Sequence, residues 1–126
     1  PISDPLARYN NALAKGRQEM ADRHHVYFNP FSSIEEGNPQ MILERKEPVE
    51  MPPILIMQGG LDSNVLPAFQ LKFGETYRAA GGECEVAVFE DCDHMWVLEP
   101  GPETDRAHEM LKAFIARQLH ALQQAA

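Results

Sequence analysis

Pro52-Pro53-Ile54-Leu55-Ile56-Met57-Gln58-Gly59-Gly60-Leu61-Asp62-Ser63-Asn64-Val65 is the stretch on which the fold turns. Ile54 to Met57 is an unbroken apolar run, β-branched at alternate positions and closed by Gly59-Gly60. That pattern predicts a strand covered on both faces, the kind found inside parallel sheets. A helix beginning at Pro67 follows, with Leu66, Phe69, Phe73, Tyr77 and Ala80 on one apolar face. Gly81-Gly82 stops it in the manner of a left-handed cap. Glu85 to Phe89 reads as a second strand, Glu90 to Glu103 as a polar loop, and Thr104 to Leu122 as a last helix. Ala107, Met110, Leu111, Phe114, Ile115, Leu119 and Leu122 form the expected core stripe of that helix.

Strand, helix, strand, helix is a βαβ unit with a closing helix, which places the chain in the α/β class with a parallel sheet. Two strands are too few for a sheet buried on both faces. Residue 1 is Pro with no Met before it. Together these lead to the expectation that the chain is the C-terminal portion of a larger α/β domain. The boundaries are residues 1–50 for a helical region ahead of the first strand and 51–126 for the βαβα part.

In the upstream region Asp4-Pro5 has the form of a helix start, and Leu6, Tyr9 and Leu13 give it a narrow apolar face. A second helix is expected from Arg17 to Tyr27. Ser32 with Glu35, and Ser33 with Glu36, form two overlapping capping-box patterns, and Pro39 to Arg45 reads as a further short helix.

The chain has 126 residues, 44% of them apolar and 24% charged, which is ordinary globular composition. Eleven Lys and Arg against nineteen Asp and Glu give a net charge of −8, which repels phosphate backbones and argues against nucleic acid as a partner. No apolar run approaches the ~18 residues of a membrane span. Two cysteines are too few for a disulfide scaffold.

Ligands of open α/β sheets bind beyond the C-terminal ends of the strands. Two polar loops fall there, Gly59 to Asn64 and Glu90 to Trp96. Asp62 stands four residues past Gln58, and His94 five past Phe89, so adjacent parallel strands bring both to one edge of the sheet. A carboxylate beside an imidazole fixes the ring's tautomer and stabilises its protonated form. The competing reading is two ordinary loop polars.

The quoted stretch resembles the acid-bearing strand and loop of α/β-hydrolases, in the esterase/lipase branch. Tyr77 to Gly82 is similar to the helix end that follows, and Phe89 through Asp93-His94 to the histidine loop. Asp4 to Tyr9 and Asn38 to Arg45 also look like this branch. Asp62 and His94 lie 32 residues apart, a spacing suited to one βαβ unit. The resemblance implies that Asp62 orients the histidine and that His94 is the general base for a serine and then the acid for the leaving group. The family's serine sits in a G-x-S-x-G turn ahead of the acid. Ser3, Ser32, Ser33 and Ser63 are the only serines, and none has that context. The implied activity is carboxylic-ester hydrolysis of a small-molecule ester, with neither nucleophile nor oxyanion loop in this sequence. Alternatives are a serine peptidase of the same fold, or a non-catalytic module acting through oligomerisation. A cut sheet is expected to associate with a second copy or with the missing N-terminal half.

Met95 and Trp96 read equally well as lining of an acyl pocket or as loop packing. Asp91-Cys92-Asp93-His94 is rich in metal-capable groups but lacks the spacing of a zinc site, so no metal or organic cofactor is implied. Cys84 and Cys92 are expected to be free thiols. His24-His25 reads as a surface or boundary pair, and His108 and His120 as solvent-facing; Tyr27, Phe28 and Phe31 read as core aromatics in preference to substrate contacts made by residues 1–50 as a cover over the active site. Nine acids and one base between Glu83 and Glu109 read as a solvated face.

Overall fold

The computed structural model describes residues 3–126; Pro1, noted above, lies outside them. Four helices precede the sheet: α1 (Pro5–Ala14), α2 (Gln18–Tyr27), α3 (Ser33–Glu36) and α4 (Pro39–Glu44). Then come β1 (Ile54–Gly59), α5 (Pro67–Ala79), β2 (Cys84–Phe89), a single 3-10 turn (Trp96–Leu98) and α6 (Pro102–Ala125). The two strands pair in parallel, from Ile54 opposite Cys84 to Gly59 opposite Phe89. This is a small parallel sheet with flanking helices, in keeping with the expected α/β class.

Side-chain alternation along the strands divides the core in two. Ile54, Ile56, Cys84 and Val86 face α5 and pack with Phe73, Tyr77 and Leu43. Met57, Ala87 and Phe89 face α6 and pack with Trp96, Ala107, Met110 and Cys92. On α5 the buried face runs through Gln70, Phe73, Gly74 and Tyr77, while Ala80 is exposed because the helix has already ended there. Gly81 closes it at φ +99°, a conformation open to glycine at little cost. Both cysteines are buried and unbridged.

The helix starts hold where a side chain reaches the first turn. Asp4 Oδ1 accepts from Ala7 N at 3.0 Å, and Asn38 Oδ1 accepts from Met41 N at 3.0 Å. Asn38 also donates to Asp4 Oδ1 at 2.9 Å, which ties the start of α4 to the start of α1. The expected capping box at Ser32 does not form. Ser32 has helical angles, φ −57° and ψ −23°, and makes no side-chain cap bond, whereas a capping side chain needs an extended backbone to reach back.

The stripe on α6 is also corrected. Ala107 is buried and Met110 packs on the core, but Leu111, Ile115, Leu119 and Leu122 are 39%, 48%, 55% and 69% exposed. Arg117 and Gln118 bond Glu85 and Glu83 at the start of β2, so α6 runs back along the sheet and passes its end there. At about 1.5 Å per residue the helix reaches beyond a six-residue strand, which leaves Leu119 and Leu122 uncovered. Leu111 and Ile115 lie within the strand's length and are bare because the sheet is only two strands wide. The outer edge of β1 pairs with no strand among the described residues. No helix among them is long and apolar enough to cross a membrane.

Candidate active site

The site lies where the loops after β1 and β2 cross. Gly60 N donates to Phe89 O at 2.8 Å and Leu61 N to Cys92 O at 2.9 Å, which stitches the loops together. The crossing is close enough to require glycine. A side chain at Gly59 would overlap the carbonyl oxygens of Asp93 and Cys92, and one at Gly60 would meet the Glu90 backbone at 2.6 Å.

Asp62 is buried, and its two oxygens divide their work. Oδ1 accepts from Asn64 N at 2.8 Å and Val65 N at 2.9 Å, folding the loop around the carboxylate. Oδ2 accepts from His94 Nδ1 at 2.8 Å. A carboxylate at Nδ1 keeps the proton on that nitrogen and leaves Nε2 as an acceptor. Burial by itself would raise the Asp62 pKa, but the His94 bond and the two backbone donors outweigh it, and the carboxyl is held below its usual range. The His94 side chain is 41% exposed, so the ring remains open to solvent and to a reactant.

The acid loop is braced by groups that sequence reasoning missed. Gln58 Nε2 donates to Gly59 O and Val65 O, closing the loop from inside. Arg8 Nε on α1 donates to Asn64 Oδ1 at 2.9 Å. Arg17 donates to Ser63 O at 3.0 Å and to Ser63 Oγ at 2.9 Å, with Asn11 and Lys15 also on Ser63 O. Basic residues on and between the upstream helices are no signal by themselves; only the packed structure links them to Ser63 and Asn64.

A cavity of about 380 Å³ runs along the open edge of β1, with Leu55, Gln58, Asp62, His94, Trp96 and Val97 in its wall. Trp96 belongs both to this wall and to the core. It lines this cavity and it is buried, its ring stacked on Phe89 at 4.4 Å. Met95 is 54% exposed and outside the cavity lining. Among the described residues no three His, Cys, Asp or Glu side chains converge as a metal cluster. Burial, reinforced by Glu103, Asp91 and Asp93, pushes the Cys92 thiol pKa up, and burial does the same for Cys84, which keeps both thiols protonated.

Among the upstream residues His24, Tyr27, Phe28 and Phe31 depart from expectation, and His25 does not. His24 is buried at 4% exposure, because its Nδ1 bonds Met20 O at 2.8 Å and its Nε2 faces Arg8. His25 is exposed and stacks on Phe31 at 4.0 Å. Tyr27 is 82% exposed, and Phe28 and Phe31 are only half-buried, since the short helices offer no layer to close over them.

The loops after two parallel strands thus carry a hydrogen-bonded carboxylate and imidazole at one edge of the sheet. The profile of the prolyl oligopeptidase family matches residues 3–121, and the chain belongs to that family. No curated protein and no solved structure matches it significantly. The match supports the serine-hydrolase class and gives no support to the narrower esterase or lipase expectation.

Proposed function

We propose that the chain supplies the acid and base of a peptidase, with Asp62 orienting His94 and His94 Nε2 serving a serine nucleophile. The 2.8 Å contact between His94 Nδ1 and Asp62 Oδ2 carries this reading. The family description points to peptide bonds rather than esters. In the proposed reaction His94 takes the serine proton as the hydroxyl attacks the scissile carbonyl. It then returns that proton to the departing amine, so a C–O bond forms and the C–N bond breaks. Water, deprotonated by the same nitrogen, attacks the acyl-serine; the bond from the acyl carbon to the serine oxygen breaks, the proton passes from Nε2 to that oxygen, and the acid leaves.

The serine would arrive on a strand paired along the outer edge of β1, beside the cavity that holds His94. The same added layer would cover Leu111 and Ile115. The test uses the enzyme carrying its nucleophile, assayed on a peptide anilide and on the matched ester. Cleavage of the anilide that is abolished by His94→Ala supports the proposal. Cleavage of the ester alone would return the assignment to an esterase, and an unaffected His94→Ala variant would remove His94 from the reaction.

A further inference from the structure

A second cavity, of about 500 Å³, opens beside α1 and α2, with Arg8, Arg23, His24, Tyr27 and Phe28 in its wall. Its charge runs against that of the molecule. Residues 1–27 carry four Lys or Arg against three Asp or Glu, whereas the rest carry seven against sixteen. His24 adds no acceptor for an incoming cation: its Nε2 is 3.5 Å from Arg8 Nη1, and its Nδ1 is held by Met20 O. Two guanidinium groups thus face one space. Arg8 is pressed by burial, favoured by Asp62 and disfavoured by the Arg23 charge. Arg23 has a partner in Glu19, but both side chains are more than three-quarters exposed, so that pair is solvent-screened and readily exchanged. Tyr27 and Phe28 add an apolar wall, their rings edge to face at 4.9 Å.

The cavity is connected to the proposed chemistry through one side chain. Arg8 lines both this space and the cavity containing Asp62 and His94, and its Nε is fixed on Asn64, two residues from the acid. We propose that the Arg8–Arg23 cavity is a substrate subsite for a carboxylate, so that the preferred substrate is a peptide bearing a free carboxylate close to the scissile bond. Guanidinium groups bind carboxylates through paired, charge-assisted hydrogen bonds, and the aromatic wall takes the apolar part between that carboxylate and the bond. This inference rests on the proposed role of Asp62 and His94, and adds the substrate class.

The experiment compares two peptide p-nitroanilides, one capped with a free succinyl carboxylate and the other with its succinamide, in the enzyme carrying its nucleophile. The wild type is expected to show a lower KM for the acid. Arg23→Gln should reduce that preference by about five- to tenfold, and Arg23→Lys, which keeps the charge but not the paired geometry, should give an intermediate preference. The ratio is insensitive to partial misfolding, which lowers both rates together. Equal KM values in the wild type, or an acid preference untouched by Arg23→Gln, would overturn the subsite. Loss of the subsite with His94→Ala still inactive leaves the peptidase reading intact; activity surviving His94→Ala overturns that reading instead.

Discussion

Replacing Asp62 with Asn separates what the carboxylate does for the loop from what it does for His94. The amide oxygen still accepts from Asn64 N and Val65 N, the two bonds that Oδ1 makes now at 2.8 and 2.9 Å. The lost contact is the one from Oδ2 to His94 Nδ1. A charge-assisted bond is worth about 1.5–3 kcal/mol when desolvated; with the His94 side chain 41% exposed, screening reduces it to about 1 kcal/mol. The variant should therefore fold. The amide presents N–H groups toward Nδ1, so the imidazole proton shifts to Nε2 and that nitrogen can no longer accept from the serine. Turnover should fall by roughly 10³–10⁴-fold, or about 4–5 kcal/mol of barrier. Asp62→Ala is the contrast. It leaves the Asn64 and Val65 donors without their acceptor, at about 1–3 kcal/mol each, and should lose stability as well as activity. Peptide-anilide kinetics on the enzyme carrying its nucleophile, with chemical denaturation and imidazole ¹⁵N shifts, read all three quantities. Asn at this position with turnover within tenfold of wild type, or with the proton still on Nδ1, would refute the reasoning.

Stability should also depend on acid in a defined direction. The Asp62 carboxyl is held below its usual range in the fold, so its contribution is complete above the unfolded value of about 3.9 and is lost as pH falls through the lower folded value. Denaturation across that acidic window should show a steeper decline in wild type than in Asp62→Asn; equal slopes would contradict it. Gly59→Ala drives a methyl into the Asp93 and Cys92 carbonyls, and should cost about 3 kcal/mol or more in denaturant unfolding. Trp96→Ala empties the buried site against Phe89 and should cost about 3–5 kcal/mol, while Trp96→Phe keeps the stack and should recover most of it. A Trp96→Ala protein of unchanged stability but raised KM would make the residue a substrate contact first.

The parts of this chain that were readable in advance are those whose cause is local. Ile54 to Met57 can be recognised as a strand because its neighbours along the chain carry the pattern, and the Pro67 helix ends where Gly81 supplies a left-handed residue. Asp62 and His94 were readable for a related reason: parallel pairing across one helix puts the residues just past each strand at the same edge, and β1 and β2 pair in that way. Local patterns fail where a second condition lies elsewhere. The Ser32 box has the right letters, but the turn before it places Ser32 at helical angles. The α6 stripe has the right period, yet a stripe states only that a surface wants cover, and two strands cover no further than Met110 and Phe114.

The braces on the acid loop were the least readable, because their partners are 56 and 46 residues away in Arg8 and Arg17. Long basic side chains on short polar helices ordinarily belong to solvent. Here they converge on two consecutive residues, Ser63 and Asn64, directly after the acid. This gives the upstream helices a task that their weak apolar faces do not suggest: they hold the loop whose backbone donors keep Asp62 ionised. A site of this kind divides its requirements. The strand ends set where acid and base can meet, and the helical region sets how rigidly they stay there. Substitutions at Arg17 should consequently loosen the loop without touching His94, lowering turnover while leaving the Asp62–His94 bond available. Loss of that bond in Arg17→Ala, seen as a released Nδ1 proton in the imidazole spectrum, would show instead that the brace and the Asp62–His94 contact are one structural unit.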